Sequence, residues 1–286
     1  MSARRTRPGI FVEELPTLSR QQRARQGCGN RDCQHDFDGL GFMKAALLAS
    51  LLAGLATGLG GVMIALLPRI TRRMYDTLLG FSAGVMLAAG SITLLWPALT
   101  RSGIVPAALG LLTGALLVYL LELAVPHLEP HFAPQLTGRS KRLGLLMAAA
   151  LTLHHVPEGL AIGVAFGSGT KGLGAIVAVA IALQNIPEGL AVAMPLRAAG
   201  FSRTKAIAWA SLSGLTEPLA AAVGVWFAGK LDGMMPFGMA LAAGAMIFVA
   251  SDQLIPESHA QSDSKSPSLG LISGFVLLAV LTKIAF

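Results

Sequence analysis

The sequence predicts an all-α, polytopic membrane protein with tightly packed helices, and three observations support this fold class. Of its 286 residues, 53% are hydrophobic and only 13% are charged. The mean hydropathy is +0.65, which together with the low charge is typical of a membrane protein rather than a soluble domain. Eight long apolar stretches follow one another from residue 44 onward, and many contain glycine and alanine at close-packing intervals.

The N-terminal segment 1–43 is polar and rich in arginine. We expect a flexible tail there, followed by a transmembrane domain at 44–286. The tail has no apolar run long enough for a signal peptide. Cys28 and Cys33, with His35 close by, can capture a soft metal or form a local disulfide. The interpretation as two ordinary tail cysteines is favoured, because their spacing matches no standard zinc motif.

The apolar stretches are about 18–25 residues long, enough to cross roughly 30 Å of hydrocarbon. The predicted spans are 44–67, 76–97, 103–125, 142–166, 173–194, 205–228, 236–255 and 268–285. Their short connections and frequent glycines favour a bundle in which helices approach one another closely.

Lysine and arginine in the loops predict the orientation. Loops after spans one, three, five and seven carry ten of these residues, whereas those after spans two, four and six carry three. Because basic loops stay in the cytoplasm, the first set is predicted inside and both termini outside. The formal charge of +7 is explained in this way, so we expect the lipid bilayer as a partner and no nucleic acid.

Two copies of one motif lie thirty residues apart inside apolar stretches, HHVPEG at 154–159 and QNIPEG at 184–189. In each copy the first residue precedes the glutamate by four positions, so both side chains share a helix face. The proline removes a backbone N–H and leaves the carbonyl four residues earlier without its helical partner. Imidazole, amide, carboxylate and free carbonyl groups together can bind a cation.

The cost of burying the two glutamates also favours a cation. An ionised carboxylate near the middle of a spanning helix costs about 2.5–3.5 kcal/mol, and a divalent ion would neutralise Glu158 and Glu188 together. The alternative is that these polar residues only hydrogen-bond helices to one another. The duplication favours the metal site, and the predicted topology makes the two motif helices antiparallel neighbours, as in inverted repeats.

Other polar residues in the spans are weaker candidates. Glu217 in span six also stands beside a proline and is expected to be a ligand or a gate. Met86 offers a thioether to a soft ion, although most methionines at such positions fill space. Asp252 and Gln253 form either an exit relay or a solvated helix end, and Glu122 begins a cluster that binds metal loosely or lies in a solvated loop.

Functions of other classes are weighed against metal transport. GFSAG at 80–84 matches the G-x-S-x-G motif of serine hydrolases, with Ser82 as nucleophile and a motif histidine as base. That motif requires a strand–turn–helix setting, so close packing explains its glycines better. A metal-sensing membrane subunit without transport and a metal exporter also remain as alternatives. The sequence contains no P-loop or dinucleotide motif, and no enzymatic activity or organic cofactor is predicted.

At these residues the chain resembles the ZIP (Zrt-, Irt-like) metal transporters, specifically their prokaryotic members. HHVPEG in span four, QNIPEG in span five and SGLTEP in span six carry the resemblance, which covers about residues 44–286. It implies a secondary transporter that brings divalent metal across the inner membrane into the cytosol of a bacterium. The expected metal is Zn²⁺, with Fe²⁺, Mn²⁺ and Cd²⁺ as further substrates.

The resemblance also implies a binuclear site on helices four, five and six near the membrane midplane. One metal would be held by His154, Glu158, Gln184 and Glu188, with Met86 nearby. The second would be held by His155, Asn185 and Glu217, with Glu158 and Glu188 as bridges. His155 replaces an asparagine of many members and Asn185 an aspartate of some, so the second site can be a modulator. A homodimer and an elevator-like motion are implied as well.

Overall fold

The computed structural model describes residues 39–67, 70–132, 139–230, 234–260 and 264–285. They belong to one compact unit, Gly39–Phe286. Across these ranges every regular element is helical, which confirms the all-α class. Cys28 and Cys33 lie outside the described residues, and the division into a tail at 1–43 and a domain at 44–286 stays a prediction.

Eight helices follow the order of the eight predicted spans. They are α1 (Gly39–Leu66), α2 (Arg72–Ser102), α3 (Ile104–Phe132), α4 (139–167), α5 (Leu173–Ala198), α6 (203–230), α7 (Met235–His259) and α8 (Ser266–Ala285). Two of them consist of two segments: α4 of Arg139–Leu153 and His155–Gly167, and α6 of Arg203–Gly214 and Thr216–Lys230. Two others contain a π-helical segment, Ala89–Leu95 in α2 and Ala250–Leu254 in α7.

By length and composition, seven of these helices, all except α4, are long and apolar enough to cross a membrane. Several helices extend beyond the predicted apolar spans: α1 begins at Gly39 rather than at 44, and α3 ends at Phe132 rather than at 125. A helical hydrogen-bond ladder continues into polar flanks, so the apolar stretch alone underestimates helix length.

Prolines accompany the irregular turns. α4 is interrupted at His154, three residues before Pro157, and α6 at Leu215, three residues before Pro218. The π-helical segments of α2 and α7 each end two residues before a proline of the same helix. A proline cannot donate to the carbonyl four residues earlier and its ring displaces that carbonyl, so the preceding turn opens or widens. α5 nevertheless continues through Pro187.

Glycines allow four helix pairs to approach very closely: α1 with α5, α4 with α6, α2 with α8, and α3 with α7. A Cβ on Gly84 of α2 would lie 1.9 Å from the carbonyl oxygen of Leu271 in α8. A Cβ on Gly244 of α7 would lie 2.0 Å from the carbonyl oxygen of Leu111 in α3. No side chain tolerates such distances, so glycine sets the separation of these helices.

These contacts reveal an internal repeat with an offset of 160 residues. Gly84 and Leu271 become Gly244 and Leu111 when each number is shifted by 160, so α1, α2 and α3 are equivalent to α6, α7 and α8. The two remaining helices, α4 and α5, are equivalent to each other. Equivalent helices are separated by five positions in the helix order, or by one for α4 and α5. Because successive helices alternate in direction, equivalent helices run in opposite directions, which confirms the predicted inverted-repeat character.

Candidate metal site

The two motifs meet in the interior of the bundle, beside α1, α2 and α6. Seven predicted site residues are at most 2% exposed: His154, His155, Glu158, Gln184, Asn185, Glu188 and Glu217. His155, Glu158 and Glu188 each place one ligand atom within 4.8 Å of the others. Among the described residues this is the one group of three such side chains close enough to hold a single metal ion.

Each of the three buried glutamates accepts a hydrogen bond at Oε1. The donors are Gln184 Nε2 to Glu158 at 2.7 Å, Ser82 Oγ to Glu188 at 2.6 Å, and Asn185 Nδ2 to Glu217 at 2.6 Å. The Oε2 atoms of all three glutamates are buried without a hydrogen-bond partner. The same holds for Oε1 of Gln184 and Oδ1 of Asn185.

Five buried oxygens without donors form an unusual cluster, because nearly all buried polar atoms in proteins are hydrogen-bonded. Each such atom costs about 1–3 kcal/mol. No basic side chain compensates them among the described residues, since both ion pairs found there belong to Arg72. A divalent cation accepts several oxygen ligands at once, so this set of oxygens with one imidazole suits a transition metal.

His155 presents one particular nitrogen to this site. Its Nδ1 lies 3.4 Å from the carbonyl oxygen of Thr152, and its Nε2 lies 3.2 Å from Oγ1 of Thr57 in α1. A carbonyl only accepts, so Nδ1 carries the proton and Nε2 the lone pair. Metal-ligating histidines are usually oriented by such a bond from the other ring nitrogen to a carbonyl. Nε2 therefore carries the lone pair that can bind a metal, and here it lies against the Thr57 hydroxyl.

His154 makes a different contact. Its Nε2 is hydrogen-bonded to Oε1 of Gln253 in α7, and Nε2 of Gln253 bonds to Oε1 of Glu122 in α3. The chain of three residues therefore connects three helices and leads away from the group formed by His155, Glu158 and Glu188. Gln253 and the exposed Asp252 beside it both line a cavity of about 340 Å³ between α2, α4, α5 and α7.

Asn185 and Glu217 form the side of the site next to α1. Nδ2 of Asn185 donates both to Glu217 and, at 2.8 Å, to the carbonyl oxygen of Ala53 in α1. These two bonds use both amide hydrogens and fix the orientation of the amide, with Oδ1 left over as an acceptor. A metal near this pair would have Oδ1 of Asn185 and Oε2 of Glu217 as free ligand atoms.

Met86 and Ser82 belong to α2. Met86 is fully buried and follows Ser82 by one helical turn, so its thioether lies on the face that contacts α5. The GFSAG motif lies inside the helical segment Arg72–Ala88, and the Ser82 hydroxyl bonds to Glu188 rather than to a histidine. The setting that a serine nucleophile requires is therefore missing at this motif.

Three polar partners of the site were not predicted from the sequence: Thr57, the Ala53 carbonyl, and the Ser82 hydroxyl as a donor to a glutamate. Thr57 carried a signal, because it lies 160 positions before Glu217 and is its equivalent in the repeat. The carbonyl of Ala53 carried none, since a backbone acceptor depends on how closely α1 and α5 approach.

The chain is similar to known proteins of one kind. A family profile described as "ZIP Zinc transporter" matches residues 133–282. The chain is 41% identical to the zinc transporter ZIPB of Bordetella bronchiseptica over 82% of its own length and 80% of the relative. It is 38% identical to the zinc transporter GufA of Myxococcus xanthus over 84% of its length and 98% of the relative. For the zinc transporter ZIP11 of Homo sapiens the identity is 33%, over 82% and 96%.

Proposed function

Because this chain belongs to the ZIP zinc transporter family, we propose that it is a secondary transporter that moves Zn²⁺ across a bacterial inner membrane into the cytosol. Fe²⁺, Mn²⁺ and Cd²⁺ are further substrates of the same site in this proposal. The metal is cargo, and the side chains of α4, α5 and α6 hold it during transport.

The observation that carries the proposal is the cluster of five buried oxygens without hydrogen-bond donors. It lies where Glu158 and Glu188 come together with His155. Burying these acceptors without a partner disfavours the empty site, and a divalent cation removes that cost when it binds. Ligands must lose protons to bind metal, so metal arrival releases protons and uptake weakens as the external pH falls.

The positions of the oxygens that have no hydrogen-bond partner support a site for two metals. Free oxygens of Glu158 and Gln184 belong to one side, and those of Asn185 and Glu217 belong to the other. In the proposal Glu158 and Glu188 would be shared as ligands between the two ions. His154 joins the first ion only if its ring leaves Gln253, so the contact described here represents a form in which that ligand is withdrawn.

The pairing of helices supports an elevator-like motion. α1, α4, α5 and α6 pair among themselves, as do α2, α3, α7 and α8, so the metal-bearing group can shift against the other. The homodimer and the external location of both termini complete the proposal; the first rests on the family and the second on the loop charges.

Proteoliposomes containing a zinc indicator test the proposal. Wild-type protein should admit external Zn²⁺, and the double variant Glu158→Ala/Glu188→Ala should reduce influx to the rate of empty vesicles. The double variant Glu158→Gln/Glu188→Gln is the matched control, because it keeps side-chain volume and removes only the charge. It should be equally inactive while its melting temperature stays close to that of wild type.

Three results would overturn the proposal. Influx that persists in both double variants would remove the site from transport. Stoichiometric zinc binding without any flux would indicate a metal-sensing subunit. Flux that runs only outward, in vesicles whose protein orientation has been determined by protease accessibility, would indicate an exporter.

A further inference from the structure

The hydroxyl of Ser82 is directed at the metal site and not at its own helix. Two other hydroxyls in the first two helices, those of Ser50 and Ser91, donate back to the carbonyl four residues earlier, of Ala46 and Leu87 respectively. Ser82, which is completely buried, instead lies 2.6 Å from Oε1 of Glu188 and 3.2 Å from the carbonyl oxygen of Gln184. The Ser82 hydroxyl therefore donates its hydrogen bond to α5 and not to its own helix.

A hydroxyl has one hydrogen, and the carboxylate is both the nearer and the stronger acceptor. The proton of Ser82 therefore points at Glu188 Oε1. Because Glu188 Oε2 has no partner, the carboxylate offers one engaged and one free oxygen. Bonds to ionised groups are among the stronger hydrogen bonds in proteins, so the Ser82 hydroxyl competes with a metal ion for the engaged oxygen.

The repeat supplies an internal comparison. The equivalent of Ser82, shifted by 160 residues, is Ala242 of α7, which is also completely buried. The glutamate on that side, Glu158, receives its donor from Gln184 instead, and Gln184 is itself a motif residue. One half of the repeat therefore has a hydroxyl at this position, and the other half does not. Ala242 shows that the equivalent position in α7 is packed with alanine.

We propose that Ser82 is a specificity-determining positioning residue that keeps Glu188 a one-oxygen ligand and so favours zinc over larger divalent ions. The inference rests on the proposed function. Zn²⁺ prefers four ligands in a tetrahedron, whereas Mn²⁺ takes six oxygen-rich ligands. Without the hydroxyl, both oxygens of Glu188 become available, and a chelating carboxylate supplies the additional ligand that the larger ion requires.

The test compares Zn²⁺ and Mn²⁺ on the purified full-length protein, both by titration of binding and by influx into proteoliposomes. Ser82→Ala should raise the ratio of Mn²⁺ to Zn²⁺ affinity about tenfold, the equivalent of one hydrogen bond to a charged group. Ser82→Thr retains the hydroxyl and should keep the wild-type ratio. Ser91→Ala is the matched control on the same helix, and it should leave the ratio and the influx rates unchanged.

An unchanged ratio in Ser82→Ala, or equal losses for both ions, would overturn the inference, because either result means that the hydroxyl serves packing alone. A shifted ratio in Ser82→Thr would also overturn it. Failure of the proposed function is recognised separately: wild-type protein would bind zinc without moving it, and the ratio from titration would still decide the role of Ser82.

Discussion

The two halves of the repeat place equivalent residues together but with different chemistry. In one half His155 of α4 contacts Thr57 of α1, and in the other Asn185 of α5 contacts Glu217 of α6. Thr57 and Glu217 are equivalent positions, 160 residues apart. One contact therefore joins a neutral imidazole to a hydroxyl, and the other joins an amide to a carboxylate.

This difference shows that the repeat determines which positions meet, and that the residue types determine the chemistry of the contact. The repeat brings a polar side chain of α4 or α5 to the same place on its neighbouring helix in both halves. On the α4 side the imidazole nitrogen that carries the lone pair lies against the Thr57 hydroxyl, and it can bind a metal when that contact is broken. On the α5 side the amide donates its hydrogens to hold a glutamate, and it leaves one oxygen for the metal. His155 in one half can therefore bind the metal directly, whereas Asn185 in the other half also holds Glu217 in position.

The largest effect is expected where the halves are most alike, at the glycine that ends each motif. A Cβ on Gly189 would lie 1.8 Å from the carbonyl oxygen of Thr57, and one on Gly159 would lie 2.3 Å from that of Glu217. Gly189→Ala and Gly159→Ala should each destabilise the fold by about 1–3 kcal/mol or more, because backbone must move. Thermal melting in detergent measures the loss.

Gly238→Ala is the control for this pair, because its Cβ would first meet the Phe227 ring at 3.1 Å, and a side chain adapts more easily than backbone. Its melting temperature should stay near that of wild type. Equal melting of all three variants would contradict the role given to close helix approach.

The second effect compares the two histidines. His155→Ala removes the nitrogen that faces Glu158 and Glu188 and should lower zinc affinity by at least about 100-fold, as expected for a lost ligand. His154→Ala should lower it less, by about tenfold, because that ring first has to leave Gln253. Isothermal titration of both variants gives the ratio, and equal losses would mean that both rings ligate strongly once metal is bound.

The third effect compares the two amides. Asn185→Ala leaves Oε1 of Glu217 without a donor and removes the bond to α1, whereas the Ala53 carbonyl keeps its helical partner. It should therefore cost about 1–3 kcal/mol of stability. Gln184→Ala should affect zinc affinity more than stability, because its amide contacts Glu158 inside the metal group. Melting and titration on the same preparations test this contrast, and the reverse order would show that the roles are exchanged.

The smallest effect concerns pH. Carboxylates bind metal only after losing their protons, so zinc affinity should fall as the pH is lowered from about 8 to about 6. His155→Asn makes the α4 half resemble the α5 half and keeps every carboxyl group. Its zinc affinity should be lower at each pH, with a decline parallel to that of wild type. An affinity equal to that of wild type at every pH would contradict ligation by His155.

The sequence analysis predicted much of the fold because lipid imposes strong constraints on a chain. Apolar stretches of sufficient length identified eight helices in the correct order. Two glutamates inside such stretches carry a free-energy cost of burial, which marked them as candidate functional residues. The motif spacing predicted that each of the two glutamates shares a helix face with the first residue of its motif. The structure brings both carboxyl groups together with His155, whereas the ligand roles assigned by family resemblance stay predictions.

Other features were not predictable from local pattern. The contact of His154 with Gln253 joins residues 99 positions apart, and the Ser82 bond crosses from α2 to α5. The cluster begun by Glu122 was placed partly in a loop, and this was wrong, because α3 continues to Phe132. Hydropathy detects where lipid ends, but a helix ends where its hydrogen-bond ladder is interrupted.

The sequence by itself determined the class of the protein, the number and order of its helices, and the polar residues that lipid burial makes costly. Tertiary structure alone decided which of those residues meet, because partners lie on different helices and their distances depend on glycine contacts that set helix separation to within an atom's width. Periodicity along a chain fixes the face on which a side chain stands. Only packing in three dimensions decides what that face touches.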